Sequence, residues 1–298
     1  MFNMSVGYDL KGIQTEKMDA YIEGMRNASG TSIFKECREA IMARLDRFSN
    51  IDAAYVESIT PNLCNSITLS TMHGCPPEEI EAISRYLLGE KKFHTFVKMN
   101  PTLHGYDYVR KVFDDMGYTY ITLKEESFTH DLQYADGVGM LRRLKEYAKE
   151  QGLEFGVKLS NTLPVQIRRG ELPGEEMYMS GRALYPLTIN LAKKLASEFD
   201  GDLKISYSGG ADAFNIKDIY EIGIQPITIA TTILKPGGYM RIQQIAEQFP
   251  EISSTSGIDM DKLNALAEVS LSDRNHLKET RLVDNRKTDL ELPLMDCF

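Results

Sequence analysis

The feature that most constrains this chain is an alternation that runs through nearly all of it. Short runs rich in β-branched and aromatic residues are followed by stretches whose apolar residues recur every three or four positions. Phe2 to Leu10 reads as a strand. Met18, Tyr21, Ile22 and Met25 then mark one helical stripe, and Phe34, Cys37, Ile41 and Leu45 a second. Further strands are predicted at Ala53 to Ile59 (a short extra one), Ser66 to Thr71, Thr95 to Met99, Tyr118 to Leu123, Leu153 to Leu159, Lys204 to Tyr207 and Ile227 to Ala230. Helices are expected between them. One is striped by Tyr106, Val109, Phe113 and Met116, and others span Gly139 to Glu150, the segment around Leu187, Leu191 and Leu195, Ile216 to Ile222, and Met240 to Phe249. Repeated strand–helix units predict a parallel sheet covered by helices, which an open doubly wound sheet and a (β/α)8 barrel both satisfy.

The best-specified junction is Ile67 to Ile83, ITLSTMHGCPPEEIEAI. Pro77 suits the first helical position, where its missing N–H is unpaired in any case. Glu78 and Glu79 complement the positive end of the helix dipole. Ile80, Ile83 and Leu87 form a buried face, and Gly89 can stop the helix. A longer loop rich in Pro, Gly and Glu is expected from Ser160 to about Arg182.

The 298 residues carry a formal net charge of −9 and no dense Lys/Arg run, which argues against a nucleic-acid partner. The first residues lack the basic and apolar regions of a signal peptide, and no apolar run approaches the length of a membrane span. Cys37, Cys64, Cys75 and Cys297 form no set with zinc spacing, so a reduced, cytoplasmic setting is the simplest reading and no metal ligands are expected.

Three places could carry chemistry. Ser208-Gly209-Gly210 follows a strand and precedes a helix, and Ala230-Thr231 occupies the next strand–helix unit. Parallel barrels commonly hold a phosphate at such late loops, where glycine backbone approaches closely, although a Gly-Gly pair also closes ordinary turns. Val97-Lys98 and Val157-Lys158 put lysines into apolar strands. Each is costly there unless its charge is used on an anionic flavin, an acidic substrate or a Schiff base, or unless the side chain reaches solvent. Cys75 lies ahead of a helix N-terminus at a strand end, where a dipole favours the thiolate while Glu78 and Glu79 oppose it. It reads either as a nucleophile or acid–base group, which His73 could assist, or as a buried cysteine in a rigid turn.

Several long segments together carry a resemblance. NSITLSTMHGCPPEEIEAISRYLL, TFVKMNPTLHGYDYVRKVFDDMGY, LEFGVKLSNTLPV, GEEMYMSGRALYPLTINLA and ISYSGGADAFNIKDIYEIGIQPITIATTILKPGGY resemble the selenate reductase-type iron–sulphur/flavin subunit family. The amino-terminal part of that family is similar to the FMN barrel of dihydroorotate and dihydropyrimidine dehydrogenases. The resemblance implies a TIM-barrel-like FMN-barrel fold. Cys75 would be the base opposite the flavin, and Lys98 (by order) or Lys158 (by its Gly-Val-Lys-Leu context) would meet the flavin edge. Ser180 and Gly181 would form a glycine-rich loop, with Ser208, Gly209 and Gly210 at the phosphate. Ala230-Thr231 stands where the barrels have Gly-Thr, so an alanine Cβ is added there.

The resemblance also implies a portion of a longer protein, with an incomplete barrel whose first strands are missing. Residues 1–255 would be the barrel portion. Residues 256–298 would be a helical segment and linker, in which Cys297 would open an iron–sulphur region. FAD, NAD(P)H and 4Fe-4S clusters would belong to the family's other parts. The implied function is an oxidoreductase that passes electrons between NAD(P)H-derived carriers and a small-molecule substrate or partner redox subunits, with an oligomer or partner chain expected. The rival expectations are a cofactor-free barrel serving as a docking scaffold, and a Schiff-base lyase using Lys98 or Lys158.

Overall fold

The computed structural model describes residues 2–170, 172–249 and 257–272. Residues 273–298, which hold the later part of the expected helical segment and linker together with Cys297, lie outside the described residues. Strand β1 (Phe2–Val6) leads through helices α1 (Leu10–Ile13), α2 (Glu16–Arg26), α3 (Ser32–Met42) and α4 (Ala53–Ser58) to β2 (Cys64–Ser70). Helix α5 (Pro77–Arg85), β3 (His94–Met99), α6 (Tyr106–Asp115), α7 (Glu126–Thr129), α8 (Tyr134–Glu150) and β4 (Phe155–Leu159) follow. A hairpin of β5 (Leu163–Gln166) and β6 (Glu176–Met179) precedes α9 (Tyr185–Glu198) and β7 (Lys204–Tyr207). The described chain ends with α10 (Ile216–Glu221), α11 (Thr231–Leu234), α12 (Met240–Ala246) and α13 (Met260–Ser272).

The main sheet is parallel, in the order β1-β2-β3-β4-β7. Among the described residues it remains open at β1, while a single bridge from Tyr207 to Ile227 extends the β7 side. Alternation divides its residues between two faces. On one face Leu69, Val97, Val157 and Ile205 are fully buried or nearly so, in one cluster with Ile83, Leu87, and Met140 and Leu144 of α8. The other face carries Thr68, Phe96 and Gly156 in one register row and Ser70, Lys98, Lys158 and Ser206 in the next. Asn3 Nδ2 donates to Thr68 Oγ1 at 2.9 Å and continues this polar face onto β1. Helix α13 packs on α9, where Asn190 Nδ2 donates to Ala267 O at 3.0 Å.

Four sequence expectations are corrected. Ala53 to Ile59 is a helix over most of its length, because Asp52 caps it by accepting from Tyr55 N at 2.7 Å. Tyr118 to Leu123 is not a strand. The Arg110 guanidinium donates to the carbonyls of Tyr118 (3.0 Å) and Ile121 (2.5 Å), which a neighbouring strand would need, and β3 pairs directly with β4. The long loop from Ser160 contains the β5–β6 hairpin, whose Leu163, Val165, Met177 and Met179 enter a second core with Phe113 and Leu187. Ile227 to Ala230 contributes the single bridge rather than a strand.

Candidate active site at the strand ends

Parallel strands bring their C-terminal ends to one rim, and the candidate site lies there. A cavity of about 180 Å3 is lined by Lys98, Ser180, Gly181, Ser208, Gly209, Gly210, Ala230 and Thr231, together with Ser160, Asn161 and neighbouring loop residues. The residues expected at a phosphate thus converge from three separate loops.

The cavity wall is rigid for identifiable reasons. Gly210 has φ +77°, and a Cβ there would come within 2.6 Å of Gly181 O, so the two glycine loops pack backbone to backbone. Arg182 Nε donates to Asp212 Oδ2 at 2.7 Å in a buried ion pair that joins the same loops. Asn215 accepts from Asp212 N and donates to Gly210 O. Ser180 and Thr231 share a hydroxyl hydrogen bond of 3.2 Å. In contrast, the N–H groups of Gly209, Gly210 and Ala211 donate to no protein acceptor among the described residues. Orphan backbone donors around an αL glycine form an anion-accepting concavity. These donors and the adjacent Lys98 fit a phosphate end, whereas 180 Å3 is smaller than the roughly 300–1,000 Å3 of pockets that enclose an entire organic ligand.

Lys98 and Lys158 face each other in register on the polar face. Burial lowers the pKa of both, and the charge of Lys98 adds to the effect on Lys158. Among the described residues neither has an ion-pair partner. A partly desolvated, unpaired pair of cations stabilises negative charge placed beside it.

Cys75 lies on the same rim, after β2, but does not line the glycine-loop cavity; it packs against the main core. Burial, then Glu79 and Asp131, push its thiol above the ordinary range, so these effects outweigh the helix N-terminus. Sequence reading missed the group that organises this part of the rim. The buried Asp131 carboxylate accepts from Thr102 Oγ1 (2.6 Å), Asn100 Nδ2 (2.8 Å), Gly74 N (3.0 Å), its neighbour Leu132 N (3.0 Å) and His73 Nδ1 (3.1 Å). It joins the loops after β2 and β3. Desolvation opposes its charge, but hydrogen bonds from His73, Thr102, Gly74 and Asn100 prevail and lower its pKa to about 2. No local pattern marks an aspartate whose partners are this distant in sequence.

Among the described residues no helix is long and apolar enough to cross a membrane, and no group of three or more His, Cys, Asp and Glu could hold a metal ion. Two solved structures of DHODH from Eimeria tenella are similar. The ligand-free form covers 77% of this chain and 70% of its own at 12% identity and a TM-score of 0.36. The ferulenol complex covers 81% and 65% at 14% identity and a TM-score of 0.30. YgfK of Escherichia coli strain K12 and YgfK of strain O157:H7 are each 47% identical over 312 aligned residues, covering all of this chain. The chain spans 30% of the length of these relatives. Residues 1–278 match the family described as the N-terminal TIM-barrel domain of the oxidoreductase YgfK, and the chain belongs to that family.

Proposed function

We propose that this domain is the FMN-binding barrel portion of a flavin/iron–sulphur oxidoreductase of the selenate reductase-like type. Electrons would pass through it between NAD(P)H-derived carriers and a small-molecule substrate or a partner redox subunit. The observation that carries the reading is the row of orphan N–H groups at Gly209, Gly210 and Ala211 beside Lys98. These donors, with Ser180, Gly181, Ala230 and Thr231 around them, would hold a phosphate end. FMN, when bound, supplies a ring that accepts and releases electrons. Lys98 and Lys158 would favour negative charge on the group they face, and the rigid Arg182–Asp212 pair would keep the two glycine loops at a fixed spacing. FAD, NAD(P)H and 4Fe-4S centres belong to other parts of the proposed whole protein. A cytoplasmic setting agrees with the free state of Cys37, Cys64 and Cys75.

The test is the flavin content of the purified chain, read by absorbance before and after reconstitution with FMN. The reading expects one FMN per folded chain, and a weaker hold in Lys98→Met. A folded chain that takes up no FMN overturns it. That result would favour the docking-scaffold reading, with which Ala230, standing where the barrels have glycine, agrees.

A further inference from the structure

We propose that Tyr207 is a positioning residue for the phosphate end at the rim, with Asn215 as its companion. Each holds a backbone carbonyl of the glycine loop inward, so that the N–H of the same peptide faces the anion. This rests on the reading of the rim as a phosphate site, and it holds whether or not the phosphate carries a flavin.

Three consecutive carbonyls of the loop are held by donors inside the protein. Ser208 O accepts from Ser160 N at 2.6 Å, Gly209 O from the Tyr207 hydroxyl at 2.9 Å and Gly210 O from Asn215 Nδ2 at 3.0 Å. The peptides that carry these carbonyls are trans. In a trans peptide the C=O and the N–H point in opposite directions. The same three peptides carry the N–H groups of Gly209, Gly210 and Ala211, which have no protein acceptor among the described residues. All three residues line the cavity. The bonds that satisfy the carbonyls therefore also aim the donors.

The loop does not set this orientation by itself. Gly209 and Gly210 have no Cβ, and a peptide between two glycines turns over at little steric cost. Turned over, the Gly209–Gly210 peptide would present its carbonyl oxygen to the phosphate in place of a donor. The Tyr207 hydroxyl opposes that change. Its ring is fully buried at the end of β7, where a phenylalanine would fill the same space. A tyrosine hydroxyl taken into a core needs a partner, and here the partner is the loop carbonyl two residues further on. Asn215, also buried, holds the next carbonyl in the same manner.

The probe is inorganic phosphate, titrated into the folded chain by calorimetry, with FMN and riboflavin as a second pair. Tyr207→Phe removes one hydroxyl and keeps the ring. It should weaken phosphate and FMN by about fivefold, because the binding orientation of the loop loses one buried hydrogen bond, and leave riboflavin unchanged. Asn215→Ala should act in the same direction through the Ala211 N–H. Ile83→Val, in the main core and outside the cavity lining, should cost comparable stability and leave phosphate affinity as it is. A purely structural role for Tyr207 and Asn215 predicts lower melting temperatures without a selective loss of phosphate. Phosphate binding that depends on Tyr207, without FMN binding, keeps this proposal and sinks the flavin reading. FMN binding that neither variant weakens keeps the flavin reading and overturns this proposal. An equal loss for FMN and riboflavin, an equal loss of phosphate in Ile83→Val, or a folded parent that binds neither phosphate nor FMN would also overturn it.

Discussion

The two faces of the main sheet obey different rules. On the helix-covered face, Leu69, Val97 and Val157 have no exposed surface and sit in one continuous apolar cluster. On the opposite face, one register row reads Ser70, Lys98, Lys158 and Ser206. Both faces are built from the same strands by alternate residues, so the difference does not come from secondary structure. The apolar face holds the fold together. The polar face ends at the rim where the glycine loops, the lysine pair and the Asp131 hub lie, and its residues are poor choices for stability. Partly buried cations without an ion-pair partner among the described residues destabilise the folded chain, and a ligand's negative charge would offset that cost under the proposed function.

That contrast can be tested directly. Leu69→Ala, on the packing face, should lower unfolding free energy by about 3 kcal/mol, the usual range for a fully buried leucine, as read by urea titration. A change below about 1 kcal/mol would mean that this face is not the stabilising one. Asp131→Asn is the next largest. The folded-state pKa is about 2 against an ordinary 3.8, so the ionised carboxylate contributes about 2 kcal/mol. The contribution is fully present above pH 3.8 and is lost as pH falls through about 2. The variant should therefore show a flatter stability profile than the parent across that acid range; parallel profiles would remove the hub from the account.

The lysine pair gives the smallest effect, with the opposite pH sense. Folding lowers the pKa of Lys98 and Lys158, so between the folded and unfolded values the unfolded chain binds more protons. Stability should rise with pH through that alkaline window, and the destabilising share should be fully present below it. The double variant Lys98→Met, Lys158→Met should be at least as stable as the parent at neutral pH and should lack the alkaline rise in thermal melts. A loss of stability in the double variant would show that the lysines support the fold.

The alternation of strand and helix was legible because period and turn residues are local properties. The Gly209-Gly210 and Lys98 positions were legible as candidates for the same reason, since each lies at or near the end of a recognisable element, whereas Ser180-Gly181 came only from the family resemblance. What escaped depends on distant partners. Tyr118 to Leu123 has the composition of a strand, yet Arg110 from the preceding helix takes its carbonyls. The β5–β6 hairpin was hidden by the polar, glycine-rich turn between its strands. Asp131 sits 58 residues from His73 and 29 from Thr102, and no spacing rule joins them. Cys75 was correctly placed at a helix start, but burial and two nearby carboxylates set its acidity, and neither is visible in the local sequence.

We propose that the polar rim takes an anionic end, held by the Gly209, Gly210 and Ala211 N–H groups with Lys98. The most direct measurement is a paired titration of the purified chain with FMN and with riboflavin, which differs only in lacking the phosphate. The account predicts saturable FMN binding and riboflavin binding weaker by roughly tenfold or more, as expected when charge-assisted hydrogen bonds worth about 1.5–3 kcal/mol each are removed. Equal affinity for the two, or no affinity for either in a folded chain, would contradict it.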